Sequence, residues 1–157
     1  MGYEKIGGTL LSGRVDCHEL QSTWNEALRL FERGDWAQSI ACTDACAELA
    51  AAIYLDTLVS RKLNVPSTSL PPLLIAAGGL RGTFRDFFRH SRAWRSRRYE
   101  LLCLQKRIES LVARRERVRQ PASSSDTRRA AQAAFENSLV IIQALAPKYA
   151  ARLSVPL

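Results

Sequence analysis

The chain has 157 residues, 46% of them hydrophobic and 24% charged, and 23 Lys or Arg against 15 Asp or Glu give a net charge of +8. That length suits one domain with its own core, and the composition excludes a disordered tail. Eight Gly and six Pro are too few for a collagenous or low-complexity chain; no apolar run approaches the ~18 residues of a membrane span, and Met1 to Val15 lacks the apolar stretch of a signal peptide, so the expected compartment is the cytoplasm.

No alternating strand pattern, Asn-Gly hairpin signal or internal repeat is visible, so an all-α fold is predicted. Residues 1–16 contain glycine and are weakly patterned, which predicts an irregular N-terminal arm. A first helix is predicted from Cys17 to Arg33, with Asp16 as its cap and Leu20, Trp24, Ala27, Leu28 and Phe31 at spacings of three and four. Gly34 ends it. A second helix, capped by Asp35, is predicted to run to Leu63. Its stripe is Trp36, Ile40, Thr43, Ala47, Ala50, Ala51, Tyr54, Leu55 and Leu58. Its many alanines let a neighbouring backbone come close, so it is expected to be the central helix of a bundle.

Pro66, Pro71, Pro72, Gly78, Gly79 and Gly82 mark a connector from Asn64 to Thr83, within which Leu70–Ala77 suits a short apolar helix. A third, long helix is predicted from Thr83 towards Arg119, broken at most once, with Thr83 and Asp86 as an approximate capping box. Its apolar residues are Phe84, Phe88, Leu101, Leu104, Ile108, Leu111 and Val112. Gln120–Asp126 is a linker. A fourth helix is predicted from Thr127 to Leu145, with Ala131, Ala134, Phe135, Leu139, Ile142 and Leu145 inward and Pro147 as its stop. Together these elements predict a four- to five-helix bundle spanning residues 17–146, with 147–157 as a C-terminal tail.

The positive charge is concentrated. Between Arg81 and Arg119 there are thirteen Lys or Arg and four Asp or Glu, an excess of nine, so the rest of the chain sums to −1. A local excess of this size points to a polyanion, with nucleic acid the leading candidate. Cys17, Cys42, Cys46 and Cys103 do not have zinc-ligand spacing and read as free thiols in a reducing compartment. No metal or cofactor is expected.

Arg85-Asp86-Phe87-Phe88-Arg89-His90 is the segment richest in chemistry. If it opens a helix, Asp86 stands at i,i+4 from His90 and can orient the imidazole. Arg85 then lies near a helix N-terminus, where phosphate is favoured. A histidine can move the proton of a ribose 2′-OH, and an arginine can stabilise the charge that develops at phosphorus. No carboxylate cluster for two metal ions accompanies them, in keeping with a metal-free route.

The stretch from Phe31 to Glu48, FERGDWAQSIACTDACAE, resembles the HEPN superfamily (higher eukaryotes and prokaryotes nucleotide-binding domains). The likeness lies in the Gly34-Asp35-Trp36 step and in the following Ala-rich helix with Ala47-Glu48. Arg85-Asp86 and His90 match the family's ribonuclease motif, an Arg followed four to six residues later by a His. The resemblance covers roughly Cys17 to His90. It implies a HEPN-like bundle that forms a homodimer, with Arg85 and His90 of two copies facing each other. It also implies a metal-independent endoribonuclease of a toxin–antitoxin or anti-phage defence system, working with RNA and a cognate antitoxin or regulatory protein. In that reading His90 is general acid or base, Arg85 stabilises the transition state, and Asp86 orients the histidine. The expected product is a 2′,3′-cyclic phosphate.

Other readings stand beside this one. The chain is alternatively a non-catalytic module that binds RNA or a partner protein through its arginine-rich helix. Arg81, Arg89, Arg92, Arg95, Arg97 and Arg98 are candidate phosphate contacts or a solvated basic face. Trp94 and Tyr99 suit base stacking or an apolar contact. Asp44 and Glu48, one turn apart, either support the catalytic groups or pair with basic residues of a neighbouring helix.

Overall fold

The computed structural model describes residues 17–58, 78–118 and 128–157. The N-terminal arm, the end of the second predicted helix, the short apolar helix at Leu70–Ala77 and the Gln120–Asp126 linker lie outside these residues. Among the described residues the fold is all-α: α1 (Cys17–Glu32), α2 (Trp36–Leu58), α3 (Gly79–Asp86), a 3-10 turn (Phe88–His90), α4 (Arg98–Val118), α5 (Arg128–Leu145) and the four-residue α6 (Pro147–Ala150).

The α1–α2 junction follows from its sequence. Gly34 has φ +80°, a left-handed conformation that glycine adopts without a Cβ penalty. The Asp35 N–H donates to the Leu30 carbonyl at 2.9 Å and the Gly34 N–H to that of Phe31 at 3.1 Å, which closes α1 with a Schellman motif. The Asp35 side chain then accepts from the Gln38 N–H at 3.3 Å, capping α2.

α2 is the central helix. Buried residues recur around most of its circumference, including Ile40, Cys46, Ala47, Ala50, Ala51 and Leu55. It packs on α1 and α5, with α3 against its later part. Side-chain bonds lock the closest approach: Ser39 Oγ donates to the Ala27 carbonyl at 2.9 Å, and Cys46 Sγ lies 3.8 Å from that of Leu20. Trp24, Phe31 and Phe135 fill the α1–α5 side edge to face, with centroids 5.2 and 5.7 Å apart.

The chain after α5 is docked. Pro147 follows the break at Ala146 and opens α6, where its missing N–H costs nothing. Beyond it, Leu153 and Val155 pack on the core, and Trp24 Nε1 donates to the Ser154 carbonyl at 2.8 Å. The segment read as a tail thus packs against the bundle.

The third predicted helix carries the one break allowed for it, and its start is corrected. It is two helices, and the break falls inside the Arg85–His90 segment. α3 starts at Gly79, not Thr83, and ends at Asp86. Phe87 leaves helical geometry at φ −122°, ψ −60°, and Ser91 is extended. Thr83 is therefore not a cap but a buried residue in the body of α3. The cause is packing. Phe88 and Trp94 join one cluster with centroids 4.9 Å apart, and Tyr54 of α2 meets Phe88 at 5.3 Å. On a continuous helix, positions six apart point ~120° away from each other. Breaking the helix lets both rings reach the same apolar site.

Candidate nucleic-acid interface

The two carboxylates of α2 have structural partners. Glu48 Oε2 accepts the Leu80 N–H at 2.9 Å, so it caps α3 from a neighbouring helix. Gly78, at φ +75°, supplies no cap of its own. Gly79 has φ +69°, and a Cβ there would stand 3.1 Å from the same Glu48 oxygen. Glycine at 79 allows both the left-handed backbone and the close carboxylate. Asp44, almost wholly buried, pairs with Arg114 of α4. The pair of acids one turn apart thus ties α3 and α4 to the central helix.

Arg85, Asp86 and His90 are close in sequence but not arranged as an opening helix would place them. Arg85 lies in the last turn of α3, not at its N-terminus, where the Leu80 N–H is already bonded to Glu48. The Asp86 carboxylate is held by Arg85 itself, with Nε–Oδ1 at 2.8 Å and Nη2–Oδ2 at 2.9 Å. His90 ends the 3-10 turn rather than standing one helical turn beyond Asp86, and it is exposed. The hydrogen bonds from Arg85 hold the Asp86 carboxyl below the usual carboxylate range, and the nearby charge of His90 lowers it further. The three groups therefore share one electrostatic neighbourhood, while the carboxylate bond goes to Arg85.

The basic residues line the outside of this region. Arg81, Arg89, Arg92, Arg95, Arg97 and Arg98 are all exposed. Two are paired: Arg81 Nη2 to Glu109 Oε2 at 2.6 Å, and Arg97 Nε to Glu100 Oε1 at 3.3 Å. The Arg97 guanidinium also lies over the Trp94 ring, 4.1 Å from its centroid. Trp94 is half-buried against Phe88, whereas Tyr99 is 77% exposed.

An open groove of about 350 Å³ runs between α3 and α4. Arg81, Arg85 and Arg89 line one side, Gln105 and Glu109 the other, and Phe84 and Ile108 contribute apolar surface. Gln105, Glu109 and Arg114 do not stand out in the sequence. Only Arg114 leaves a signal there, as a charge falling three residues after the inward Leu111. Opposite it, Asp44 sits beside Thr43 of the α2 stripe, where a basic partner on a neighbouring helix is one of its two expected roles.

Cys42, Cys46 and Cys103 are free thiols. Burial pushes the Cys46 thiol far above its ordinary value, and that of Cys42 also upwards. Among the described residues no three His, Cys, Asp or Glu gather to hold a metal ion, and no helix is long and apolar enough to cross a membrane. No protein-family model matches the chain, and no curated protein or solved structure is detectably similar to it.

Proposed function

We propose that the protein binds single-stranded RNA through the turn that joins α3 to α4. One observation carries this reading. Arg89, His90, Arg92, Arg95, Arg97 and Arg98 are all exposed, and no acidic residue interrupts them between Asp86 and Glu100. Phosphate neutralisation is the main source of affinity in such a surface. The exposed Tyr99 ring at its edge offers a face for an unpaired base. The likeness to HEPN domains supports RNA as the polyanion. Fluorescence anisotropy with a labelled oligonucleotide, across a salt series, tests it. Reversing Arg92 and Arg95 to Glu should weaken binding and reduce the log–log salt slope by about 0.7 for each phosphate no longer neutralised. Affinity that ignores both salt and charge reversal would overturn the reading.

A second reading adds chemistry at the same place, and the proximity of Arg85, Asp86 and His90 favours it. Here the chain is a HEPN-like, metal-independent endoribonuclease acting as a homodimer in a toxin–antitoxin or anti-phage system, held in check by an antitoxin. His90 takes the proton of a ribose 2′-OH. The freed oxygen attacks the adjacent phosphorus as the bond from phosphorus to the 5′-oxygen breaks, and the leaving oxygen takes a proton from water, giving a 2′,3′-cyclic phosphate and a 5′-hydroxyl. Arg85 has to exchange Asp86 for the phosphate to stabilise that step. Cleavage of labelled RNA in EDTA should occur in the wild type and vanish in His90→Ala. Equal cleavage by both proteins rules out this mechanism.

A further inference from the structure

We propose that the groove between α3 and α4 seats one unpaired nucleotide and selects guanine. The proposal deepens the RNA-binding reading by giving that surface a base-specific subsite. Four observations lead to it.

The first is size and shape. At about 350 Å³ the groove lies at the small end of the range for small-molecule sites, too small for a duplex and suited to a single nucleotide. The second is continuity. Arg89 lines the groove and also begins the run of exposed arginines, so a strand tracking that run passes the groove mouth. The third is the split between charge and apolar surface. Arg89 offers a cation on one side for a phosphate, with Arg85 beside it held by Asp86, while Phe84 and Ile108, buried to within a few per cent, give an apolar floor for a base.

The fourth observation selects the base. Gln105 and Glu109 stand one turn apart on α4, so their side chains share a face. Arg81 holds the Glu109 carboxylate at 2.6 Å, which fixes its position and leaves it further acceptor capacity. A carboxylate accepts hydrogen bonds and donates none. Guanine presents two adjacent donors, N1–H and N2–H, beside the acceptor O6. Glu109 matches the donors, and the Gln105 amide can donate to O6. Uracil presents one N–H between two carbonyls, which places an acceptor against the carboxylate. Adenine and cytosine each place a ring acceptor beside their amine. Of the four bases, guanine fits this pair of side chains best.

Isothermal titration of the full chain with GMP, UMP and inorganic phosphate tests the subsite without RNA. GMP should bind about tenfold more tightly than UMP, the discrimination of one good paired contact. Glu109→Gln should remove that preference, and Gln105→Ala should reduce it, with circular dichroism unchanged in both. Equal binding of GMP and inorganic phosphate would overturn the proposal, because the groove would then hold only an anion. A GMP preference that survives Glu109→Gln would overturn the assigned recognition. A second arm separates the two functional claims. Arg92→Glu with Arg95→Glu should weaken RNA binding and leave GMP binding intact. GMP selected through Glu109 by a chain with no RNA affinity would support the subsite and refute the RNA-binding surface.

Discussion

Two aromatic clusters lie in opposite surroundings. Trp24, Phe31 and Phe135 meet edge to face between α1 and α5, enclosed by alanines and aliphatic residues. Phe84, Phe88 and Trp94 lie under the α3–α4 turn, where the next layer outward is arginine. The first cluster joins two long helices, α1 and α5. The second anchors a short irregular segment so that its charges can face solvent. The enclosed cluster and the positive surface are thus carried by different parts of the chain, and burial of a few rings anchors the turn that displays the charge.

The contrast can be broken most strongly at Trp24, which is fully buried. Trp24→Ala should cost about 3–5 kcal/mol in urea unfolding, through reduced burial, a cavity and removal of the bond to the Ser154 carbonyl. A cost below about 1 kcal/mol would mean that the α1–α5 cluster is not the main source of stability. Asp44→Ala comes next. It strands Arg114, whose Nε already has no partner. The expected cost is about 2–3 kcal/mol, less than for a fully enclosed pair because the Arg114 side chain keeps 22% of its exposure. Replacing both residues, Asp44→Leu with Arg114→Met, should recover most of it. Glu48→Ala is the mildest. Removing the α3 cap should cost about 1 kcal/mol and speed hydrogen exchange at the Leu80 N–H, sharpening the view that α2 positions the basic region. An unchanged exchange rate would remove Glu48 from that role.

Much of the first region was legible in the sequence. The spacing of Leu20, Trp24, Ala27 and Phe31 defined the buried face of α1. Gly34 and Asp35 marked the junction, and the alanines of α2 announced close packing. The second region was less so. Phe84, Phe88, Leu101, Leu104 and Ile108 keep a helical period across a segment that is not one helix. The meeting of Phe88 with Trp94 and Tyr54 is tertiary, so periodicity carried no sign of it. That break decides the geometry of Arg85, Asp86 and His90, whose proximity was readable while their bonding was not. The groove was hidden for a related reason. Arg81 and Glu109 are distant in sequence, and only the fold of α4 back along α3 brings them together.

The stacking of Arg97 on Trp94 has an optical consequence. The three tryptophans occupy different settings: Trp24 is sealed in the interior, Trp36 is half-buried beside Phe31, and Trp94 lies beneath a guanidinium in the basic turn. Trp94 is thus a native fluorophore at the surface proposed to bind RNA, while Trp24 lies in an apolar interior. With Trp24 and Trp36 replaced by Phe, the emission that remains would come from the turn alone, and occupancy of that surface could be followed without attaching a dye.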